Sequence, residues 1–350
     1  MSKIPSSNNK FIIASAGSGK TTRLVEEALL LKDKKILITT FTNENFSQIN
    51  EYIIEKNGFV PENITILTWY SFLLQHGVRP YRNFVVENHR VQSVYFGVTP
   101  LGAAFTPKSD TRKYYLTVYG LIYRDRVAEF VCQSNEVSGG LVTGRLEKIY
   151  DYVFIDEVQD LSGYDLDFLE ALLRSAVSVV AVGDLRQATF STNYSRKNKK
   201  YKKTQIIDWI TEKEQDGLLT IEPLSESHRC NQSICDYADK LFPDLPKTTS
   251  KNDMVTGHDG VFFITEAEVH EYYAEHQPVM VLRNNKNSNT LGLPAINIGV
   301  SKGRTYSRVL VFPTQPMKKY FKDNNHTALK DKARLYVAIT RAKFSVAFVI

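Results

Sequence analysis

The chain has 350 residues, 43% hydrophobic and 23% charged, which is enough for two or three domains with buried cores. The formal net charge of +6 is compatible with a nucleic-acid partner and does not require one. Three cysteines are too few for a disulfide framework and no apolar run is long enough to span a membrane, so the composition predicts a cytoplasmic protein with no membrane partner.

In the first half of the chain, apolar strand patterns alternate with helical patterns. The strands are rich in Ile and Val and lack polar–apolar alternation, which is typical of a parallel sheet covered on both faces. This βαβ rhythm predicts a doubly wound α/β fold. The predicted strands are 10–14, 35–39, 64–67, 152–156 and 177–184, with helices at 20–32, 44–57 and 164–175.

The second half repeats the rhythm after a basic stretch. We predict a first domain at 1–193, a basic linker at 194–203 and a second domain at 204–350. An aromatic, mixed segment at about 75–145 interrupts the first domain and predicts a small, mostly helical insertion. The predicted strands of the second half are 261–264, 278–282, 295–300, 308–312 and 345–350, with helices at 231–242, 265–276 and 327–342.

The stretch ASAGSGKT, residues 14–21, follows the first predicted strand and opens the first helix. Gly17 and Gly19 let the backbone turn so that N–H groups face a phosphate, and the helix adds its positive end. Lys20 would neutralise the β- and γ-phosphates, and Thr21 would ligate Mg²⁺. The alternative is an ordinary strand–turn–helix. The predicted nucleotide-binding residues are Ala14, Ser15, Ala16, Gly17, Ser18, Gly19, Lys20, Thr21 and Thr22.

Two adjacent carboxylates end the apolar stretch VFIDEVQDLS, residues 153–162. Asp156, at the tip of a buried strand, would hold Mg²⁺. Glu157 would orient and deprotonate the attacking water. An acidic pair can also serve only as a helix cap. With a phosphate loop upstream, this pair indicates hydrolysis rather than binding alone.

These two motifs, together with six more in the same order, resemble the UvrD/Rep-like branch of the superfamily 1 helicases. DEVQD, residues 156–160, matches the D-E-x-Q-D form of that family. The resemblance implies an α/β fold with two RecA-like P-loop NTPase lobes. The further motifs are TTFTN 39–43, TWYSF 68–72, VGDLRQATF 182–190, SESHRC 225–230, VSKGRTYSRVLV 300–311 and LYVAITRAK 335–343.

By this resemblance, ATP lies between the lobes and is contacted by both. Arg229 and Arg341 would reach the γ-phosphate, where an inserted arginine stabilises the transferring group. Gln187 would sense that phosphate from the first lobe. His228 stands where the family stacks a tyrosine on adenine, and Gly303 lies in the Lys-Gly motif. The alternative for Arg341 is a helix-surface salt bridge.

The same resemblance implies a single strand of DNA that crosses both lobes. Two aromatic side chains would stack on bases, three hydroxyl groups would hold the sugar-phosphate backbone, and one lysine would contact phosphate. The aromatic residues can alternatively be core residues, and the lysine-rich linker can equally be merely solvated. The predicted DNA-binding residues are Phe41, Thr42, Thr68, Ser71, Phe190 and Lys302.

Two departures from the family limit the carry-over. No adenine-reading glutamine motif precedes Ala14, and the large second-lobe insertion of full-length relatives is absent between the Arg229 and Lys302 motifs. The residues in and around the motifs also resemble those of compact UvrD-like proteins of bacterial anti-phage systems, such as the GajB helicase subunit of Gabija. The partner in that system is an OLD-like nuclease.

Three functions stay open from the sequence. The first is an ATP-dependent motor that moves on single-stranded DNA, 3′→5′ as the family does. The second is a helicase-like regulatory ATPase that senses nucleotide or DNA ends and gates a partner nuclease. The third is a structural nucleic-acid-binding module with an inactive ATP site. The ordered set of motifs favours the first, with ATP and Mg²⁺ as cofactors.

Overall fold

The computed structural model describes residues 8–189, 192, 195, 197–323, 329 and 331–350. Contacts divide the chain into two compact units, here called the first unit and the second unit. The first unit consists of Met1–Ile12, Thr21–Gly183 and Phe190–Glu222, and the second of Ile13–Lys20, Asp184–Thr189 and Pro223–Ile350.

The elements up to residue 224 form a parallel sheet with flanking helices, and a smaller subregion follows the third strand of the sheet. In chain order they are β1 (Lys10–Ala14), α1 (Lys20–Leu30), β2 (Ile36–Thr40), α2 (Asn43–Asn57), β3 (Ile64–Thr68), α3 (Trp69–Phe72), β4 (Val94–Tyr95), α4 (Leu101–Ala104), α5 (Thr111–Tyr115), β5 (Ile122–Tyr123), α6 (Val127–Val137), α7 (Leu141–Ile149), β6 (Tyr152–Ile155), α8 (Tyr164–Leu173), β7 (Ser178–Gly183), α9 (Ile206–Gln215) and β8 (Thr220–Leu224).

Six strands form the first sheet, in the order β3-β2-β6-β7-β1-β8. Strand β2, next to the edge strand β3, is buried along its whole length and pairs in parallel with β3 and β6, so that Ile38 lies opposite Ile66 and Phe154. Burial on both faces explains the unbroken Ile and Val runs that predicted this sheet. Because parallel strands end at one edge, the segments after β2, β3 and β6 leave the sheet on the same side.

A subregion with its own aromatic core lies between β3 and β6. It contains a π-helical turn at Leu73–Val78, the helices α4 to α7, and a two-stranded parallel sheet of β4 and β5. Tyr115 and Phe130 are buried and meet edge to face, with ring centroids 5.0 Å apart. Helices as short as those of this subregion are marginally stable on their own, so packing against the aromatic core stabilises them.

The second unit has its own five-stranded parallel sheet, in the order β11-β15-β14-β12-β13. Its elements are β9 (Glu226–Ser227), α10 (Gln232–Asp239), β10 (Thr249–Ser250), β11 (Gly260–Ile264), α11 (Val269–Glu275), β12 (Val279–Arg283), β13 (Ala295–Asn297), β14 (Tyr306–Val311), α12 (Gln315–Asp323), α13 (Lys332–Ile339) and β15 (Ala342–Val349).

Apolar clusters cover both faces of this second sheet. Val309 of β14 packs with Tyr336 and Ile339 of α13 on one face, and Leu310 packs with Tyr272 of α11 on the other. The predicted α/β fold, with parallel sheets flanked by helices, is confirmed. Within the described ranges, no helix combines the length and the apolar character needed to cross a bilayer.

A buried histidine lies in the π-helical turn of the first unit. His76 is 9% exposed, its Nδ1 lies 3.0 Å from a guanidinium nitrogen of Arg145, and its Nε2 lies 3.4 Å from the hydroxyl of Tyr150. Burial, and secondarily the charge of Arg145, lowers the pKa of His76 to about 4. The imidazole is therefore neutral at neutral pH and accepts a hydrogen bond from Arg145.

We predict that His76 makes the protein less stable in mild acid. Above the ordinary pKa of 6.5, His76 is neutral in both the folded and the unfolded state. Between pH 6.5 and about pH 4, the unfolded chain binds a proton at His76 and the folded protein does not. Stability is thus fully present above pH 6.5 and falls toward pH 4, by up to about 3 kcal/mol from this group.

Urea unfolding at several pH values measures this effect, with the exposed His270 as the matched control position. His76→Gln should flatten the fall in stability between pH 6.5 and pH 4 relative both to the parent and to the control variant His270→Gln. Equal slopes for the parent and His76→Gln would show that His76 does not titrate differently in the folded state.

Candidate nucleotide site

The predicted phosphate loop joins β1 to α1. β1 ends at Ala14, α1 begins at Lys20, and between them Gly17 and Gly19 have φ angles of +75° and +71°. Only glycine adopts such angles without strain, which is why two glycines stand in this short loop. The N–H of Ser18 donates to the carbonyl oxygen of Ser15 at 3.2 Å and closes the turn.

Protein acceptors bind the first backbone N–H groups of the loop. The N–H of Ser15 donates to the carbonyl oxygen of Leu224 at 2.9 Å, and that of Ala16 donates to the hydroxyl of Tyr336 at 3.3 Å. These two donors are therefore used within the second unit. The N–H groups from Gly17 onward are the ones that a phosphate would meet.

The segment that contains Arg229 holds the other side of the loop. The hydroxyl of Ser227 donates to the carbonyl oxygen of Ala16 at 2.7 Å, and the N–H of His228 donates to that of Gly17 at 2.9 Å. A Cβ placed on Gly17 would lie 2.5 Å from the Cβ of Arg229. The second unit thus brings part of the phosphate loop into direct contact with the motif of the predicted arginine.

A buried aspartate organises the turn Leu185–Gln187. Asp184 is fully buried and accepts the backbone N–H of Arg186 at 3.0 Å and the side-chain amide of Gln187 at 2.7 Å. Burial raises the pKa of Asp184, and the nearby Arg186 charge opposes that shift. The guanidinium of Arg186 in turn donates to the hydroxyl of Ser15 in the loop at 3.3 Å.

Arg341 is buried and is bound on all sides by oxygen atoms. Its guanidinium donates to the carbonyl oxygens of Val337 at 3.2 Å, Arg304 at 3.3 Å and Ser301 at 3.5 Å. It also donates to the side-chain oxygen of Gln187 at 3.2 Å. The second unit therefore brings together two predicted catalytic residues, although Gln187 was expected to act from the first lobe.

The second predicted arginine lies close to the first. Arg229 donates to the carbonyl oxygen of Thr340 at 3.1 Å, next to Arg341 in the chain. Burial, and then the charge of Arg229, lowers the pKa of Arg341 to about 9, so Arg341 stays charged at neutral pH. The alternative of a surface salt bridge is wrong, since Arg341 is 1% exposed.

The predicted magnesium and water-activating residues lie in the first unit. The hydroxyl of Thr21 donates to Oδ2 of Asp156 at 3.1 Å, and Asp156 is 1% exposed at the end of β6. Its Oδ1 accepts the N–H of Glu157 at 2.9 Å, and Glu157 also accepts from Gln159. A hydroxyl beside a buried carboxylate suits a hard cation, so these residues fit Mg²⁺.

Glu157 has a backbone conformation that is rare for its residue type. Its φ is +57° and its ψ is +39°, the left-handed region that costs non-glycine residues of order 1–3 kcal/mol. The 3₁₀ turn Val158–Asp160 follows at once, and Gln159 reaches back to the carboxylate. The strained backbone turns Glu157 away from the direction of β6.

Several residues predicted to bind DNA make packing or helix-capping contacts within the protein. Phe41 is half-buried with its ring centroid 6.2 Å from that of Trp69. Thr42 and Thr68 cap α2 and α3, where their hydroxyls accept the N–H groups of Asn45 and Ser71. These contacts are structural roles that need no ligand.

For the remaining residues predicted to contact nucleotide or DNA, the structure gives their exposure to solvent. Ser71, His228 and Gly303 are exposed, whereas Thr22 and Lys302 are half-buried. Phe190 lies outside the described residues.

Sequence reasoning missed three residues that build this site, Asp184, Arg186 and Tyr336. Asp184 is the N-cap of the 3₁₀ turn Leu185–Gln187, and an aspartate in D-L-R-Q is a recognisable capping residue. The hydroxyl of Tyr336 is buried and binds Ala16, a contact over 320 positions that no local pattern encodes. Only the cap carried a signal in the sequence.

Two family profiles match the chain. The family described as "AAA domain" matches residues 2–193, and the family described as "Viral superfamily 1 RNA helicase core domain" matches residues 134–350. Each match covers more than half of the chain. No curated protein matches the sequence significantly.

Solved helicase structures are similar in fold. The arterivirus nonstructural protein 10 helicase is 16% identical with a TM-score of 0.50, covering 99% of this chain and 60% of that one. The PRRSV helicase is 18% identical with a TM-score of 0.46, covering 98% and 52%. The first likeness concerns the fold alone, and the chain spans 60% or less of the length of both helicases.

We predict that Gly17→Ala destabilises the protein. An added methyl group meets both the unfavourable φ of +75° and the Cβ of Arg229 at 2.5 Å. Gly58→Ala is the matched control, because Gly58 has a φ of +86° and open space around its Cα. Thermal unfolding should show a loss of about 1–2 kcal/mol for Gly58→Ala and a larger loss for Gly17→Ala. Equal losses would contradict the close approach of Arg229.

Proposed function

The chain belongs to the superfamily 1 helicases, and from this premise we propose that it is an ATP-driven motor on single-stranded nucleic acid. The observation that carries the proposal is the contact between Gln187 and the buried Arg341, in the unit that also holds residues 13–20 of the phosphate loop. A glutamine that holds a charged arginine can couple the presence of a γ-phosphate to the position of both side chains.

The phosphate loop supplies the nucleotide grip in this proposal. Lys20 neutralises the β- and γ-phosphates of ATP, and the backbone N–H groups from Gly17 onward point at phosphate oxygens. Thr21 and Asp156 would hold Mg²⁺ through their oxygen atoms, and the bound ion would offset phosphate charge. Glu157 takes the proton of the attacking water on its carboxylate, a role supported by its position beside Asp156.

The arginines of the second unit supply positive charge to the transferring group in this proposal. Arg341 is 1% exposed, so its charge is little screened by water and acts strongly on an anion nearby. Gln187 and the backbone carbonyl oxygens fix its direction before any nucleotide arrives. Arg229, bound to the carbonyl oxygen of Thr340, is the second cation proposed for the γ-phosphate.

The type of nucleic acid, the direction of movement and the biological role are proposed from the UvrD/Rep resemblance alone. On that basis we extend the proposal to single-stranded DNA as the track, to 3′→5′ movement and to anti-phage defence with an OLD-like nuclease partner. Phe41 is the base-stacking candidate among the described residues, since its half-buried ring follows β2 at the carboxyl edge of the sheet.

The ATPase rate with and without single-stranded DNA tests the proposed function. The parent protein should hydrolyse ATP many-fold faster with a strand of about 20 nucleotides, because a motor couples hydrolysis to its track. Lys20→Ala should abolish hydrolysis. Arg341→Ala should lower kcat by roughly 10³-fold or more, the usual contribution of an inserted arginine.

Lys32→Ala is the control for the first variant, since Lys32 is an exposed lysine outside the phosphate loop. It should hydrolyse ATP as the parent does, and thermal unfolding should show that all variants are folded. A parent rate indifferent to DNA and RNA would refute the motor. A Lys20→Ala rate equal to that of the parent would refute the assigned site.

The compact second unit favours one alternative, a regulatory ATPase that gates a nuclease. The span between Arg229 and Lys302 is occupied by α10, α11, strand β10, which pairs with β9, and the sheet strands β11 to β13, which leave no room for an added domain. Full-length relatives of the resembled family carry a large insertion there, and duplex separation needs a wedge.

Strand displacement on duplexes with a 3′ or a 5′ single-stranded tail distinguishes these functions. A motor that unwinds should displace only the strand of the 3′-tailed duplex if the UvrD/Rep polarity applies. DNA-stimulated hydrolysis without displacement from either duplex would favour the regulatory ATPase. Displacement from the 5′-tailed duplex alone would contradict the 3′→5′ extension.

A further inference from the structure

A basic cavity lies in the subregion of the first unit between β3 and β6. It has a volume of about 750 Å³ and is lined by Arg79, Arg82, Arg90, Val91 and Gln92. Three of its five lining residues are arginines, so three positively charged side chains border one space. A cavity of this size is within the range of small-ligand sites.

The arginines of this cavity are not neutralised by the protein. Arg79 donates to the carbonyl oxygen of Gln92, and Arg82 donates to that of Arg79 at 3.0 Å. Within the described ranges, none of the three guanidinium groups forms an ion pair with a carboxylate, and the buried Nε of Arg82 has no hydrogen-bond partner. Arg79 and Arg90 are exposed and Arg82 is half-buried, so all three charged side chains are accessible to an anion from solution.

The rim of the cavity is held in place by backbone contacts. Val91 is 2% exposed and anchors the segment in the core. The N–H of Gln92 donates to the carbonyl oxygen of Gly120 at 3.0 Å, and the N–H of Ile122 donates to that of Ser93 at 2.9 Å. The arginines thus stand on a preformed frame, which reduces the ordering cost of binding an anion.

We propose that this cavity binds the terminal phosphate of a nucleic-acid strand. A terminal phosphate carries a charge of about −1.5 to −2 at neutral pH, more than a phosphate inside the strand, and it matches three converging guanidinium groups best. Two exposed aromatic residues close in the chain to residues of the cavity and its rim would supply surfaces for the adjoining bases. Phe84, in the same turn as Arg82, is 50% exposed, and Tyr119, beside Gly120, is 78% exposed.

This inference deepens the proposed function, since it assigns a second contact for the same strand. A free mononucleotide offers the same phosphate chemistry from a different source. The exposed rings favour the strand, because a chain of several nucleotides can place its end in the cavity and stack its next bases outside.

Fluorescence anisotropy without ATP tests the assignment with labelled (dT)12 strands. One pair carries a 5′-phosphate or a 5′-hydroxyl, and a second pair carries a 3′-phosphate or a 3′-hydroxyl. One phosphorylated end should bind roughly tenfold more tightly than its hydroxyl counterpart. Arg90→Gln should remove that advantage, and the salt dependence of binding should weaken by about 0.7 in the log–log slope.

Arg174→Gln is the matched control, since Arg174 is an exposed arginine paired with Glu170. It removes the same charge and should keep the full preference for the phosphorylated end. Because Arg90 makes no hydrogen bond through its side chain within the described ranges, Arg90→Gln should fold like the parent. Arg82→Gln is a second variant that should lose the same preference.

Three outcomes would overturn the assignment. They are equal affinity for phosphorylated and hydroxyl ends, a preference that survives both arginine variants, and displacement of the strand by dTMP at a concentration equal to its own. The last would mean that the cavity takes a free nucleotide. In all three cases, a hydroxyl-ended strand that still stimulates ATP hydrolysis would leave the proposed motor intact.

Discussion

The chain of contacts from Asp184 through Gln187 to Arg341 is the constraint on which the candidate site depends. A buried guanidinium is costly to desolvate, and here it is stabilised by backbone carbonyl oxygens and one side-chain amide rather than by a carboxylate. Its positive charge is therefore left for an anion. Asp184 acts one step further back, because it fixes the amide of Gln187 and does not contact Arg341 through any described hydrogen bond.

The same part of the second unit controls the phosphate loop. Tyr336 lies in α13, five residues before Arg341, and its hydroxyl accepts the N–H of Ala16. Arg186 lies beside Gln187 and donates to Ser15. A displacement of Arg341 would thus act on Ala16 through Tyr336, and a displacement of Gln187 would act on Ser15 through Arg186. Energetic coupling of this kind needs such contiguous, well-packed contacts.

The sequence was most informative where chemistry and burial coincide. The strand at Lys10–Ala14 has the bounds that the sequence predicts, because its apolar residues precede a glycine-bearing loop. Strand β8 was missed, since T-I-E-P-L contains a proline and a charge and lies at a sheet edge, where apolar patterning is weak. Helices α9 and α12 were also missed, because each buries only a few residues. Tyr336 and Arg186 act through distant contacts, which spacing along the chain does not reveal.

Strand β8 has a consequence for dividing this chain into fragments. It lies beside β1 at the end of the first sheet, although it follows the basic stretch at 194–203. A fragment that stopped at that stretch would leave one side of β1 without its neighbour. Unpaired N–H and C=O groups along an apolar strand recruit other chains, so such a fragment would tend to aggregate. A soluble N-terminal fragment would have to extend through Leu224.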